Sequence, residues 1–465
     1  MKGVAWVGLS DRRGHRPSFL LLSMGTAHRS AAAAAVALEN YFFGKEDFMQ
    51  KRKRFVFFAV AVALLLGAVG VAAAEDLVLM HDKGGNPDYR PFFDQLGAMA
   101  KSAIGVGFTQ SPYPDTNTFQ ATVRAALPTN KAPDLFTWWS TYRMKDLIDA
   151  GLVADMTSLW DKHKSEYPQG LRDAFPFNGK VYGLADVVEY WGVWYNKDVF
   201  AKLNLKVPTT WAEFLNVCDT LKANGITPME QTVNGRWPTF ILFEEMVARQ
   251  DPQLYVDLCA GKVKYSDPRV KKAFSVWANL IGKGYFTDPS TDLFSDAPRL
   301  FNEGKVAMIP CGSWYLTTLT TAGVPESKAD IFVMPPVNPA AGKVVIMEAS
   351  PIVISAKAPN LKDAMKVADW WMGPEGNGAF AKMLNQYPAN AKADASFLPA
   401  SKVNFAKTIK NGYQVLNRYW EATPTPICEK AVDKFAEFIL NPGNVDQILN
   451  DLDKIADDYW SAAKK

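Results

Sequence analysis

The chain has 465 residues, of which 48% are hydrophobic and 21% are charged, and its formal net charge is +3. Residues 1–74 carry ten basic and four acidic side chains, so the remaining 391 residues have 41 basic and 44 acidic side chains, a net charge of −3. This balance argues against a basic nucleic-acid-binding surface. A length of 391 residues exceeds what one hydrophobic core normally supports, so we expect two domains.

Residues 49–74 have the layout of a secretory signal peptide. Four basic residues at 51–54 precede an apolar run at 55–71, and small residues at 72–74 follow, so cleavage is expected after Ala74. A retained membrane anchor is the alternative, since the run is near the lower limit for a membrane span. No cysteine lies directly after the run, at the expected cleavage site, so we expect no lipid anchor. Met49 lies just before the basic segment, and residues 44–47 can be encoded by a purine-rich stretch that resembles a ribosome-binding site. We therefore expect translation to start at Met49 and interpret residues 1–48 as a misassigned extension.

The first part of the exported chain alternates strands with helices. We predict strands at residues 77–80, 105–109 and 134–138, and helices at 89–103, 118–127 and 143–150. This alternation predicts a parallel α/β sheet, in which ligands bind beyond the carboxyl ends of the strands. We therefore expect residues 81–86 and 138–140 at the mouth of a cleft.

Residues 178–214 are expected to cross between the two domains. Glu189, Tyr190 and Trp191 stand inside an apolar run, which fits a strand lining a polar cleft, whereas core packing with one surface charge is the alternative. A helix is predicted over 210–224. Thr210 and Glu213 form a capping box at its start, and Gly225 ends it.

The second domain repeats the architecture. We predict a helix that starts at Pro268 and a strand at 305–309. A second crossing is predicted at 344–354, where Glu348 interrupts an apolar run as Glu189 does in the first. From about residue 350 the chain returns to the first domain through a helix predicted at 361–371, and from about residue 412 it ends on the second.

Few residues are available for metal or nucleophilic chemistry. Only His81 and His163 remain after residue 74, which argues against a zinc hydrolase or a Ser-His-Asp enzyme. No phosphate loop or dinucleotide fingerprint occurs, so we expect no cofactor and no metal. The four cysteines are too few and scattered for a disulfide scaffold or a zinc site, and their spacing assigns no disulfide: Cys218, Cys259, Cys311 and Cys428.

Two segments carry a family resemblance. GKVYGLADVVEYWGVWYNKDVF at 179–200, followed by VPTTWAEF at 207–214, resembles the extracellular solute-binding proteins of ABC importers, the family that includes maltose-binding protein. LFNEGKVAMIPCGSWYLTTL at 300–319 is similar to another segment of that family. The resemblance covers nearly all of the chain after residue 74.

The resemblance implies an α/β, two-lobed periplasmic-binding-protein fold. Each lobe has a central, mostly parallel sheet flanked by helices, and hinge crossovers join the lobes. The expected N-terminal lobe comprises residues 75–189 and 350–411, and the C-terminal lobe comprises 190–349 and 412–465.

The resemblance also implies a function. We expect a periplasmic, monomeric receptor that captures a mono-, di- or short oligosaccharide between its lobes without altering it and delivers it to the transmembrane subunits of an ABC permease. A polyol, a polyamine or another small polar solute is an alternative cargo. A secreted glycosidase that uses two carboxylates is an alternative function.

The expected ligand-binding residues combine carboxylates, which accept hydrogen bonds from hydroxyls, with indole rings, which cover apolar sugar faces. Asp82 and Lys83 match a sugar-contacting pair in maltose-binding protein. Cys428, Glu429 and Lys430 replace the family's usual aromatic after Pro426, which weakens a claim for maltose. The full set is Asp82, Lys83, Trp138, Trp139, Glu189, Trp191, Trp237, Trp314, Glu348 and Trp420. An exposed ion pair at Asp82 and core packing of the tryptophans are the alternatives.

Overall fold

The computed structural model describes residues 76–84, 90–167, 171 and 175–463. The predicted extension and signal peptide lie outside the described residues. So do residues 85 and 86 of the predicted cleft mouth.

The strands are short except for two. They are β1 Leu77–His81, β2 Phe108–Pro112, β3 Leu135–Thr137, β4 Pro176–Phe177, β5 Lys180–Val181, β6 Leu184–Asn196, β7 Thr227–Met229, β8 Val306–Gly312, β9 Ala329–Phe332, β10 Val344–Ile354, β11 Tyr387–Pro388 and β12 Gln414–Asn417.

Helices connect and flank these strands. In chain order they are α1 Arg90–Ile104, α2 Thr116–Ala126, α3 Tyr142–Asp149, α4 Thr157–His163, α5 Lys197–Lys202, α6 Trp211–Ala223, α7 Phe240–Gln250, α8 Pro252–Cys259, α9 Pro268–Gly282, α10 Asp296–Asn302, α11 Tyr315–Thr321, α12 Leu361–Met372, α13 Pro374–Leu384, α14 Ala400–Ile409, α15 Tyr419–Ala422, α16 Thr425–Leu440 and α17 Val445–Ala463.

The long strand β6 belongs to both halves of the main sheet, whose strand order is β2-β1-β3-β10-β6-β8-β7. Residues 184–190 of β6 pair antiparallel with β10, and residues 191–196 pair antiparallel with β8 and β9. On one side β1 pairs in parallel with β2 and β3, and on the other β7 pairs in parallel with β8. The fold is therefore a mixed α/β arrangement with a mostly parallel outer part on each side.

The predicted elements agree with this fold, with one shift. Strand β10 has the bounds predicted for the second crossing, and the capping box of Thr210 and Glu213 is present at the start of α6. Strand β2 begins at Phe108 rather than at residue 105. Gly105 has φ +75° and donates its N–H to the Lys101 carbonyl, so these residues close α1 before the strand starts.

A buried apolar core lies under both halves of the sheet, and it contains large side chains such as Trp160, Trp194, Trp277 and Trp371. No helix in the described part of the chain combines the length and apolar character that a membrane crossing needs. All four cysteines are buried and unpaired.

Candidate functional site

The two crossing strands bring Glu189 and Glu348 together. The two glutamates are directly paired residues of β6 and β10, and both are buried. A buried carboxylate is expensive unless a cation or hydrogen-bond donors compensate its charge. The groups that contact these two carboxylates therefore determine whether the carboxylates are charged and which ligands they can bind.

Glu189 is compensated by groups far away in sequence. The Lys402 ammonium, on α14, lies 3.7 Å from the Glu189 carboxylate, and neither side chain is more than 4% exposed. The Ser313 hydroxyl donates a hydrogen bond to the same carboxylate and accepts one from the Tyr190 N–H at 3.1 Å. Burial raises the pKa of Glu189 to about 7, against the opposing effect of Lys402, and it lowers the pKa of Lys402.

Glu348 is compensated by Arg418. The Arg418 guanidinium lies 3.0 Å from the Glu348 carboxylate and donates two hydrogen bonds to Glu421, at 2.6 and 2.9 Å. Arg418 also lies over the rings of Trp191 and Phe240, 5.1 and 5.5 Å from their centroids. This position follows β12, which pairs in parallel with β10 and ends one residue before Arg418.

Trp191 anchors a first aromatic cluster on the C-terminal half of the crossing. Its buried ring meets the rings of Trp237 and Trp314 edge to face, with centroids 6.4 Å away in both cases. Phe294 is 50% exposed, with its ring 6.2 Å from Trp314 and 6.3 Å from Trp237. Gly312 permits this packing, since a Cβ there would lie 2.3 Å from the Trp314 Nε1 atom. The cluster presents partly exposed aromatic surface at the end of β8.

Trp420 anchors a second aromatic cluster. Its ring stacks on Phe240 at 5.6 Å and meets Trp139 edge to face at 6.2 Å. The Arg143 guanidinium, fully buried on α3, lies 3.4 Å from the Trp420 ring centroid and donates a hydrogen bond to the Trp420 carbonyl at 3.2 Å. This contact joins the end of β3 to the segment that follows β12.

Both tryptophans after β3 are buried, at 2% exposure for Trp138 and 8% for Trp139. The Trp138 indole donates a hydrogen bond to the Arg143 carbonyl at 2.8 Å and packs between Phe119 and Trp139. Trp138 therefore lies beneath Trp139 and supports it.

Asp82 and Lys83 follow β1 and form an ion pair at 3.2 Å. The Thr116 and Thr137 hydroxyls lie 3.3 and 3.5 Å from the Asp82 carboxylate, which is 7% exposed, while the Lys83 side chain is 46% exposed. Asp82 is thus held at the ends of β1 and β3, and Lys83 reaches outward.

The structure brings most of the predicted residues into one connected region. Phe240, between Trp191 and Trp420, links the two aromatic clusters, and Glu189 and Glu348 lie beside them on the crossing strands. Asp82 is linked to this region through Thr137, the neighbour of Trp138. The prediction from sequence missed five participants: Arg143, Phe240, Phe294, Lys402 and Arg418.

The charged groups of the region do not form a metal site. Among the described residues, no group of three or more histidine, cysteine, aspartate or glutamate side chains is arranged to hold a metal ion. What the region offers is aromatic surface, carboxylates whose charges are balanced, and buried cations. Such a set can bind a polar molecule that also has apolar faces.

Comparisons with known proteins agree with this description. The family model for bacterial extracellular solute-binding proteins matches residues 95–407. An uncharacterised ABC transporter extracellular-binding protein of Pyrococcus horikoshii is 27% identical over 225 residues, 44% of this chain and 51% of the relative. A multiple sugar-binding protein of Streptococcus mutans is 28% identical over 200 residues, 41% of this chain and 47% of the relative. The chain thus spans about half the length of these relatives.

A solved structure supports the fold over a longer stretch. The bacterial solute receptor AcbH, described as having an exclusive preference for β-D-galactopyranose, superimposes with a TM-score of 0.76 at 20% identity. The match covers 84% of this chain and 99% of that receptor.

Proposed function

Because the chain belongs to the family of bacterial extracellular solute-binding proteins, we propose that it is the receptor of an ABC importer and that its ligand is a small carbohydrate. The ligand is held between two lobes, residues 75–189 with 350–411 and residues 190–349 with 412–465. The loaded receptor then delivers it to the transmembrane subunits of the permease. The receptor works as a periplasmic monomer and does not alter its cargo.

The observation that carries the proposal is the partly exposed aromatic surface of Trp237, Trp314 and Phe294 beside the crossing strands. A sugar has apolar C–H faces and a rim of hydroxyls. Indole rings cover the faces at small conformational cost, because they have few rotatable bonds. A carbohydrate is therefore the small polar solute that best suits this surface.

Hydrogen bonds to the hydroxyl rim supply orientation. Asp82 accepts hydrogen bonds at the ends of β1 and β3, while the aromatic surface lies at the end of β8, so one ligand that touches both bridges the proposed lobes. Only a closed arrangement then makes all the contacts, which shifts the population of the protein towards closure. A micromolar receptor requires ~8 kcal/mol of net binding free energy, which several such contacts can supply.

The balanced charges of the crossing favour binding over hydrolysis. A glycosidase needs one carboxylic acid and one free carboxylate on either side of a glycosidic bond. Glu189 and Glu348 are instead engaged by Lys402 and by Arg418, respectively, and neither is more than 9% exposed. Their role in the proposal is to hold the crossing strands and to accept hydrogen bonds at the edge of the site.

A thermal-shift screen with sugars, polyols and amines tests the proposal. We expect a sugar to give the largest rise in melting temperature, and we expect Trp314→Ala to reduce that rise. Trp211→Ala is the matched control, because Trp211 lies at the start of α6 and stacks on Phe214, away from both clusters.

Three outcomes would contradict the proposal. They are a polyamine giving the only shift, an unchanged shift in the Trp314 variant, and the release of shorter sugars when the protein is incubated with oligosaccharides.

A further inference from the structure

Arg143, on α3, makes contacts across the boundary between the two proposed lobes. Helix α3 belongs to the first lobe, and the residues that Arg143 contacts belong to the segment 412–465 of the second. The Arg143 Nε atom donates a hydrogen bond to the Trp420 carbonyl at 3.2 Å, and one terminal nitrogen pairs with the Glu429 carboxylate at 2.5 Å. The other terminal nitrogen lies 3.8 Å from the Cys428 sulfur. These groups and the Trp420 ring take the place of water around a fully buried guanidinium.

The second lobe holds Glu429 in position for this contact. The Glu429 oxygen that does not face Arg143 lies 3.3 Å from the Arg236 guanidinium, which also donates a hydrogen bond to the Glu429 carbonyl at 2.7 Å. Arg236 is fixed in turn by two hydrogen bonds to Asp433, at 2.9 and 3.0 Å. All three residues belong to the second proposed lobe. Glu429 therefore keeps its place when the lobes separate, and the contact that is broken is the one with Arg143.

The turn that precedes α3 is strained. Thr141 has φ 52° and ψ −127°, a backbone conformation that a β-branched residue rarely adopts. Its hydroxyl donates a hydrogen bond to the carbonyl of Glu421, which lies on α15 in the other proposed lobe. A residue stays in such a conformation only where the surrounding contacts outweigh the strain. The contacts between α3 and the segment that follows β12 are therefore favourable in sum.

The last helix, α17, adds an aromatic contact to this boundary. The Trp460 ring meets the Tyr142 ring edge to face, with centroids 6.4 Å apart. Trp460 is seated against Gly261 of its own lobe, where a Cβ would lie 2.2 Å from the indole ring. The Thr425 hydroxyl donates a hydrogen bond to the Tyr142 carbonyl at 3.3 Å. Tyr142, Thr425 and Trp460 are not among the residues assigned to the sugar, so this contact forms without using the ligand site.

We propose that Arg143 and Tyr142 on one lobe, with Glu429, Trp420 and Trp460 on the other, form a clasp that favours lobe closure independently of the ligand. The inference rests on the proposed two-lobed receptor, and it adds that the protein itself supplies part of the closure. The clasp and a ligand act on the same equilibrium between an open and a closed form. Removing the clasp therefore shifts the population towards the open form.

Cys428 is a native probe of this opening. Its side chain is fully buried and its sulfur faces the Arg143 guanidinium, so a thiol reagent reaches it when the lobes separate. When opening and closing are fast, the labelling rate is proportional to the open fraction. Cys218, Cys259 and Cys311 are buried within the second proposed lobe and serve as internal references. The measured quantity is the ratio of the Cys428 rate to the Cys218 rate, followed by peptide mass in the exported chain without added sugar.

Arg143→Gln removes the charge and its hydrogen bonds, so we expect this ratio to rise about tenfold at pH 8. Arg249→Gln is the matched control. The Arg249 side chain is 2% exposed and pairs with Glu245 at 2.5 Å, with both residues on α7 in the second proposed lobe. We expect its replacement to lower stability and to leave the ratio unchanged. Glu429→Ala removes an acceptor of Arg143 from a side chain that is 28% exposed, and it provides the same measurement if Arg143→Gln does not fold.

The outcomes separate the clasp from the proposed function. A ratio equal to that of wild type in Arg143→Gln and in Glu429→Ala overturns the clasp. Equal acceleration of all four cysteines overturns it as well, because that result reports unfolding rather than opening. D-galactose, raffinose or maltotriose should slow the labelling of Cys428 in Arg143→Gln, since a bound sugar closes the lobes through other contacts. If the ratio rises in this variant and no sugar slows the labelling, the clasp stands and the proposed function is contradicted.

Discussion

Replacing Arg418 with methionine tests whether the crossing strands depend on buried charge balance. The guanidinium faces Glu348 and Glu421, and the three side chains are 5%, 11% and 2% exposed. Breaking a buried ion pair by removing one partner costs ~3–5 kcal/mol, because the remaining charge is left uncompensated. Methionine keeps contact with the aromatic rings beneath it, which recovers part of the packing. We therefore expect a loss of about 3 kcal/mol in unfolding free energy at pH 8.

The loss should depend on pH. Burial raises the pKa of Glu421 above its ordinary value, and Arg418 opposes that rise. Without Arg418, the pKa of Glu421 in the folded state rises further above its pKa in the unfolded state. A group of this kind contributes stability below its unfolded pKa, and that stability is lost as the pH rises through the folded pKa. The destabilisation by Arg418→Met should thus be smaller at pH 5 than at pH 8.

Urea unfolding followed by both tryptophan fluorescence and circular dichroism measures this effect, provided that the two transitions coincide. Arg269→Met is the control, because Arg269 is 53% exposed and pairs with Asp267 at the surface. We expect the control to change the unfolding free energy by less than ~1 kcal/mol. A loss below ~1 kcal/mol for Arg418→Met at both pH values, or a larger loss at pH 5, would refute the reasoning.

Three further predictions concern buried titratable groups. Burial raises the pKa of Glu189 to about 7, so the contribution of Glu189 to stability should fall between pH 5 and 8. Over that range, the unfolding free energy of Glu189→Gln, measured relative to wild type, should therefore rise by ~1–3 kcal/mol. Burial also raises the pKa of Glu230 to about 8, and Glu230→Gln should flatten the loss of stability that wild type shows between pH 5 and 9; equal slopes in urea titrations would contradict this. The four cysteines are buried, and burial raises the pKa of Cys218, Cys259 and Cys428 to about 12. A thiol reagent at pH 8 should therefore label the cysteines only after urea unfolds the chain. Rapid labelling of the native protein would contradict this prediction.

Local sequence signals predicted most of the fold. The capping box at Thr210 and the mostly apolar run of β10 depend on neighbours within a few residues, and both agree with the structure. The sequence predicts the start of strand β2 at residue 105, three residues too early, because residues 105–107 can equally well begin a strand. The φ of +75° at Gly105 shows that they close the preceding helix instead.

The candidate site was predictable in part. Glu189 and Glu348 can be predicted from the sequence, because each is a charged residue inside an apolar run, where its charge needs compensation. Their partners Lys402 and Arg418 stand 213 and 70 residues further along the chain, and no local pattern connects them. Arg143 was missed for the same reason, because its contact with Trp420 spans 277 residues.

Lys402 and Arg418 change which kind of ligand Glu189 and Glu348 can attract. An uncompensated glutamate pair beside aromatic rings would draw a cationic solute, since a cation gains from both the charge and the ring faces. Lys402 and Arg418 bring their own positive charges to these glutamates, and Arg418 already lies over the rings of Trp191 and Phe240. An incoming amine would have to displace a cation that the fold itself supplies, whereas a neutral sugar needs only hydrogen-bond acceptors and uncovered ring surface. The placement of these two cations is therefore the strongest physical reason to prefer a carbohydrate over a polyamine as cargo.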